Sequence, residues 1–288
     1  MKLFNGVKYV STHGTSQGII PRFQLHFMEM SEFAFPFDDE RKKIVENFCD
    51  QTQDHFTNFY DVYNEVLDLR NQYIEGILNG KYFSVSDENG ITSDISPEIL
   101  IRKRIVDFFI LGKQLLNNFC KSRLIVDGSF DIGIVLLTKK ENIENYISKE
   151  SQNFRYKNAY IKVIKIASQA QDDFLRDFIF RRGSLEHDYG KSIPDFNIHL
   201  KEGNVTIEEP VIFGENVFEQ VVRYYKSILN LIEDIACYFF GVNAHINSKG
   251  LITLLKRNGE SDPSKFKYLY AVTLHVNDPD LTPMLISK

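Results

Sequence analysis

Residues 153–182 read NFRYKNAYIKVIKIASQAQDDFLRDFIFRR, and the spacing of their apolar members decides the fold. Tyr160, Val163, Ile164, Ala167, Ala170, Phe174, Leu175, Phe178 and Ile179 form one stripe with the period of a helix that buries one face. A half-buried strand would alternate at every second residue instead. The spacing therefore predicts a long helix that ends near Gly183, a poor helix former.

The same period recurs on both sides. After Pro36, Asp38 and Asp39 supply a helix cap, and apolar residues from Val45 to Leu78 then recur at three and four until Asn79-Gly80 stops them. That is a helix of about 40 residues, on the order of 60 Å long at the α-helical rise. Ser96-Pro97-Glu98 gives an N-cap, a proline in the first turn and an early acid, and opens a second helix that runs to about Arg123. Glu215 to Phe240 reads as a further helix, ended by Gly241.

Period two appears in three places: Arg22 to Phe27, Asp195 to Glu209 around a Glu202-Gly203-Asn204 turn, and Leu251 to Leu255 with Phe266 to Leu274. The stretch from Gly80 to Asp94 is polar and turn-rich. The apolar run from Ile132 to Leu137 is too short for periodicity to separate strand from helix. These readings predict a mainly α chain, an antiparallel helical bundle with small β-hairpin additions at the N-terminal, 195–209 and C-terminal segments. Its expected divisions are a β/loop segment at 1–37, the bundle at 38–241 and a β-hairpin segment at 242–288 packed on the bundle.

The composition narrows the class of function. Of 288 residues, 43% are hydrophobic, enough for a large core. Cys49, Cys120 and Cys237 lie far apart inside apolar patterns and read as reduced core residues of a cytoplasmic protein. Neither an export signal nor an uninterrupted apolar run of membrane-spanning length is visible, so no membrane partner is expected. A formal net charge of −5 argues against coating nucleic acid by bulk charge and leaves only a local basic site for that role. The basic clusters Arg102-Lys103-Arg104, Lys139-Lys140 and Lys256-Arg257 have acids close to most of them and read as solvated faces.

Common catalytic motifs are missing: there is no GxxxxGK[ST], GxGxxG after a strand, HExxH or GxSxG, and the histidines lack metal-ligand spacing. Neither a cofactor nor a metal is called for. What remains is Asp177-Phe178-Ile179-Phe180-Arg181-Arg182-Gly183-Ser184-Leu185-Glu186-His187. At about 100° per residue, Arg182 falls in the middle of the stripe made by Phe174, Leu175, Phe178 and Ile179, with Arg181 at its edge. A guanidinium aimed at a packed face needs a carboxylate, an opening to solvent or an anionic ligand, because it cannot shed its proton. His187 lies about 140° from Arg182 on an unbroken helix, and a turn at Gly183 would bring it back.

Two readings follow. If Arg182 and His187 converge, the pair suits phosphodiester cleavage, with His187 moving a proton and Arg182 stabilising charge on the phosphate. RNA then supplies its own nucleophile in the 2′-OH, so no metal is needed. In the other reading, Arg181 and Arg182 cap the helix C-terminus and His187 bonds a loop carbonyl.

The RxxxxH pattern from Arg182 to His187, at the end of a long apolar-striped helix and followed by a hairpin and a final amphipathic helix, resembles the HEPN superfamily of helical-bundle proteins. That resemblance spans about Asp38 to Phe240 in architecture. It implies a metal-independent endoribonuclease, a homodimer whose two motifs share a groove, with catalytic Arg182 and His187. Arg181, Ser184 and Glu186 would contact the RNA substrate. Members of the superfamily also include non-catalytic modules, and for these the resemblance implies a helical unit that binds a protein partner or a nucleotide. Gly183 and the doubled arginine depart from the motif, in which a polar residue usually follows the arginine.

Overall fold

The computed structural model describes residues 39–86, 90–93, 96–121, 157–187, 193–201, 204–248, 251–256, 268–273 and 285–287. The expected N-terminal strand and the ambiguous 132–137 run lie outside these residues.

Helix α1 spans Asp39–Leu78 and ends where Gly80 takes a left-handed φ of 69°. Strands β1 (Phe83–Ser86) and β2 (Gly90–Ser93) form an antiparallel pair within the stretch that reads only as turn-rich. Helix α2 is Ser96–Lys121. Helix α3 (Lys157–Ala170), a π-helical turn (Gln171–Leu175) and helix α4 (Arg176–His187) follow without a break. Next come the antiparallel pairs β3 (Asn197–Lys201) with β4 (Asn204–Glu208) and β5 (Val211–Ile212) with β6 (Glu215–Asn216). Helix α5 is Val217–Ser248, so it continues through Gly241. Strand β7 (Leu251–Lys256) pairs antiparallel with β8 (Tyr268–Thr273) and parallel with β9 (Leu285–Ser287). The described chain is thus mainly helical with small strand pairs, as its periodicity predicts. None of its helices is long and apolar enough to cross a membrane.

The chain divides into two compact units: 1–57 with 118–169 and 231–288, and 58–117 with 170–230. In the first unit the buried residues include Phe56, Phe119, Ile164, Leu231, Ile232 and Ile235. The second unit has an aromatic core. Phe59 stacks on Phe108 at 4.8 Å between ring centroids, Phe109 on Phe178 at 5.3 Å, and Tyr63 on Tyr225 at 3.9 Å, while Tyr224 meets Phe178 edge-on at 5.3 Å. Portions of α1, α2, α4 and α5 therefore share this core.

A line of buried positions at alternating spacings of three and four runs along α2 and along α3 to α4: Glu98, Ile101, Ile105, Phe108, Gly112, Leu115 and Phe119 in the first, and Ile164, Ala167, Gln171, Phe174, Phe178, Arg181 and Leu185 in the second, with Phe109, Leu116, Ala170 and Leu175 buried beside it. This is the spacing of a knobs-into-holes seam. Gly112 is small for a reason, since a Cβ there would sit 2.9 Å from both Phe59 and Phe178.

Candidate functional site

The seam from Ile164 to Leu185 places Arg181, not Arg182, at the buried position. Arg181 lies three residues after Phe178 and four before Leu185, and it is 7% exposed. The stripe read from sequence includes Ile179, which is only half-buried, and stops before Leu185, which is buried. Replacing the one by the other moves the buried line toward Arg181.

Gly183 makes no turn. Helix α4 runs through it to His187, and Gly183 has open space around the position of a Cβ. Arg182 and His187 thus stay about 140° apart around one unbroken helix and do not converge within the chain. Arg182 donates from Nη2 to Glu186 Oε1 at 2.8 Å and from Nη1 toward Oε2, and its side chain is 30% exposed. The Ser184 hydroxyl donates back to the Phe180 carbonyl at 3.3 Å, and His187 is exposed in the last turn. Arg182 and Glu186 are brought together; His187 stands apart from both.

Arg181 is enclosed on every donor-bearing side. Nε donates to Asp177 Oδ1 at 2.7 Å, Nη1 donates to the Ile212 carbonyl at 3.3 Å, and Nη2 lies 3.7 Å from Glu215 Oε2. Arg223 grips the same Glu215 with two bonds, Nε to Oε1 at 3.1 Å and Nη2 to Oε2 at 2.7 Å, and lies 3.7 Å from Asp177 Oδ2. The Tyr224 hydroxyl also donates to Asp177 Oδ2. Two arginines thereby meet two carboxylates with no net charge. Burial raises the Asp177 carboxyl, but hydrogen bonds from Arg181 and Tyr224, with the charges of Arg181 and Arg223, outweigh it and hold the group below its ordinary range. Burial, reinforced by the bond to Asp177, pushes the Tyr224 phenol upward.

The cluster fixes the β5–β6 hairpin. Phe213 and Gly214, at φ 54° and 79°, form its two-residue turn, the conformation of a type I′ connection. Gln220 Nε2 donates to the carbonyls of Ile212 and Glu215, both at 2.8 Å, and the Arg181 guanidinium lies 5.0 Å from the Phe213 ring centroid. Asn216 then caps α5, its Oδ1 accepting from the Phe218 amide at 2.8 Å.

Sequence reasoning names Arg181, Asp177 and Glu186 but misses Glu215, Arg223 and Tyr224, which come from a later hairpin and helix. It also passes over Arg70, a charged residue that interrupts the apolar seam of α1 and was a legible signal, and reads Glu98 only as an early acid of its helix. Arg70 pairs with Glu209 at 2.5 Å and lies over the Phe218 ring. Glu98 is 4% exposed and accepts from the Tyr73 hydroxyl and, at 3.3 Å, from the Phe196 amide. Burial raises its carboxyl despite those two bonds. Arg102 is bound to Asp195, and Arg104 to Glu65 and Asp107, in keeping with a solvated basic face.

Among the described residues no group of three or more His, Cys, Asp or Glu side chains is placed to hold a metal ion. Compared with models of protein families, with curated proteins and with solved structures, the chain matches none.

Proposed function

We propose that this chain is a HEPN-like helical module of the cytoplasm that works by binding a partner, with the Arg181 cluster as the rigid support of its contact surface. The observation that carries this reading is the burial of Arg181 among carboxylates and a carbonyl. Its three nitrogens face Asp177, Glu215 and the Ile212 carbonyl, and the cluster is charge-balanced, so it has little attraction for a phosphate. Arg182 is engaged in turn by Glu186.

The test is incubation of the purified protein with RNA in EDTA, with 2′,3′-cyclic phosphate ends as the readout. The expected result is no such product from the wild-type chain. Cleavage that disappears in His187→Ala, with the circular dichroism unchanged, would overturn the proposal.

A second reading is favoured by exposure at the end of α4, where His187 is exposed and Arg182 is 30% exposed. In this reading the chain is a homodimeric metal-independent ribonuclease. A second copy set against that end supplies the convergence the single chain lacks, with Arg182 on the RNA phosphate and His187 in proton transfer. Arg182 would then have to exchange Glu186 for the phosphate.

A further inference from the structure

We infer that Glu98 is a proton-controlled latch on the chain that enters the β3–β4 hairpin: the neutral acid holds that chain down, and the carboxylate lets it open. The latch is independent of whether the protein binds a partner or cleaves RNA.

Three elements build the latch. Glu98 stands in the first turn of α2 and is buried. One carboxyl oxygen accepts from the Tyr73 hydroxyl of α1, and the other accepts at 3.3 Å from the Phe196 amide, just before β3. The buried Phe196 ring meets Tyr73 edge-on at 4.9 Å between centroids and lies 5.8 Å from Phe218 of α5. Past that point the hairpin is held less firmly. Asn197, Ile198 and His199 are exposed or half-buried, and so is every position of β4. The chain at Ile193 and Phe196 is therefore where the first strand is anchored.

The ionisable groups that face Glu98 are Tyr73 from α1, Arg102 from the next turn of α2 and Asp195 from the entering chain. Arg102 is bound to Asp195, so among the described residues no cation is bonded to the Glu98 carboxyl. A buried charge without a bonded counter-ion is costly, whereas the neutral acid fits the same partners. It donates its proton to the Tyr73 oxygen, since a phenol accepts as well as donates, and it still accepts from the Phe196 amide. Burial accordingly raises the carboxyl. The donated bonds and the N-terminal end of α2 favour the charge, which keeps ionisation within reach. Once ionised, the carboxylate regains water when the entering chain lifts away. The open state titrates as an ordinary glutamate and the closed state above it. Opening therefore grows by about tenfold per pH unit between the two values and then levels off.

Native-state hydrogen exchange of the full chain, read amide by amide and corrected for the intrinsic pH dependence of exchange, measures that opening. The expected result is an opening constant at Phe196 and through β3 and β4 that rises about tenfold per pH unit above the ordinary glutamate range and then levels off. It should be larger than the opening of Val221 and Ile228 in α5 and nearly insensitive to low urea, because a local opening exposes little surface. Glu98→Gln copies the neutral acid, with an amide that donates to Tyr73 and a carbonyl that accepts from Phe196, and should keep the opening low at every pH. His199→Gln and Asp195→Asn remove other titrating groups of the segment and should leave the rise in place. A flat profile in the wild type, a rise that survives Glu98→Gln, or its loss in either control variant overturns the inference. So does opening that matches Val221 and Ile228 in size and urea dependence, which is global unfolding. The carbon-13 shift of the wild-type Glu98 carboxyl gives a check that needs no variant: its midpoint should coincide with the pH at which opening levels off, and a mismatch overturns the latch.

Discussion

Tyr224 and Tyr225 are adjacent and both buried, yet Tyr224 has its hydroxyl matched by the Asp177 carboxylate while the hydroxyl of Tyr225 meets no hydrogen-bond partner among the described residues. Their phenylalanine variants should therefore differ in sign. Tyr224→Phe loses a bond to a charged acceptor and should cost about 1.5–3 kcal/mol, toward the lower figure because Asp177 is partly exposed. Tyr225→Phe removes an unmatched polar atom and should be neutral or stabilising by about 1 kcal/mol. Urea unfolding midpoints of the two variants decide it. Asp177 adds a pH signature. Its folded pKa is depressed, so the stability it contributes is present above the ordinary carboxylate range and is lost as pH falls through the lowered folded value. Asp177→Asn should abolish that acid-side loss and lower stability at neutral pH, which a set of denaturation curves across pH would show.

Two glycines in helices test the elements. Gly183 lies inside α4 with open space about it, so Gly183→Ala should raise stability by roughly 0.5–1 kcal/mol through helix propensity, read as an increase in melting temperature. Gly112 lies on the α2 seam against Phe59 and Phe178, and Gly112→Ala should cost about 1–3 kcal/mol by overpacking. A fall in stability for Gly183→Ala would mean that the helix does break there. This contrast shows where the sequence was readable. Helix existence came through at once, because apolar spacing at three and four belongs to the chain alone. The role of Gly183 did not, because low propensity is a cost of about 1 kcal/mol that the buried Leu185 beyond it repays by packing. The β5–β6 hairpin was hidden for a related reason: Phe213 stands in a turn position where a glycine or asparagine would have announced it.

For the molecule as a whole, each long helical stretch contributes residues to both compact units, and among the described residues Arg70, Glu98 and Arg181 each stand at a seam position with a partner: Glu209, Tyr73 and Asp177. The partners of Arg181 show why the candidate site was half legible. Asp177 stands one helical turn away and is predictable by spacing, whereas Glu215 and Arg223 arrive from a hairpin and a helix that only the tertiary structure brings near. Glu98 sets the opposite pH trend to Asp177. Its folded pKa is raised, so its contribution is fully present at acid pH and is lost as pH rises through the folded value. Glu98→Gln should flatten that decline, leaving the variant more stable relative to wild type at neutral than at acid pH; thermal melts at the two pH values measure it.

The four side chains Asp177, Arg181, Glu215 and Arg223 also have a consequence for descent. A single substitution in the set strands a charge on its neighbours, so the route from one viable combination to another passes through a destabilised intermediate. In the relatives of this chain the four positions should be inherited as a block, changing together by charge swap or wholesale replacement with apolar residues. The half-exposed pair Arg182 and Glu186, which among the described residues are bound to each other across one turn of helix, should drift far more freely.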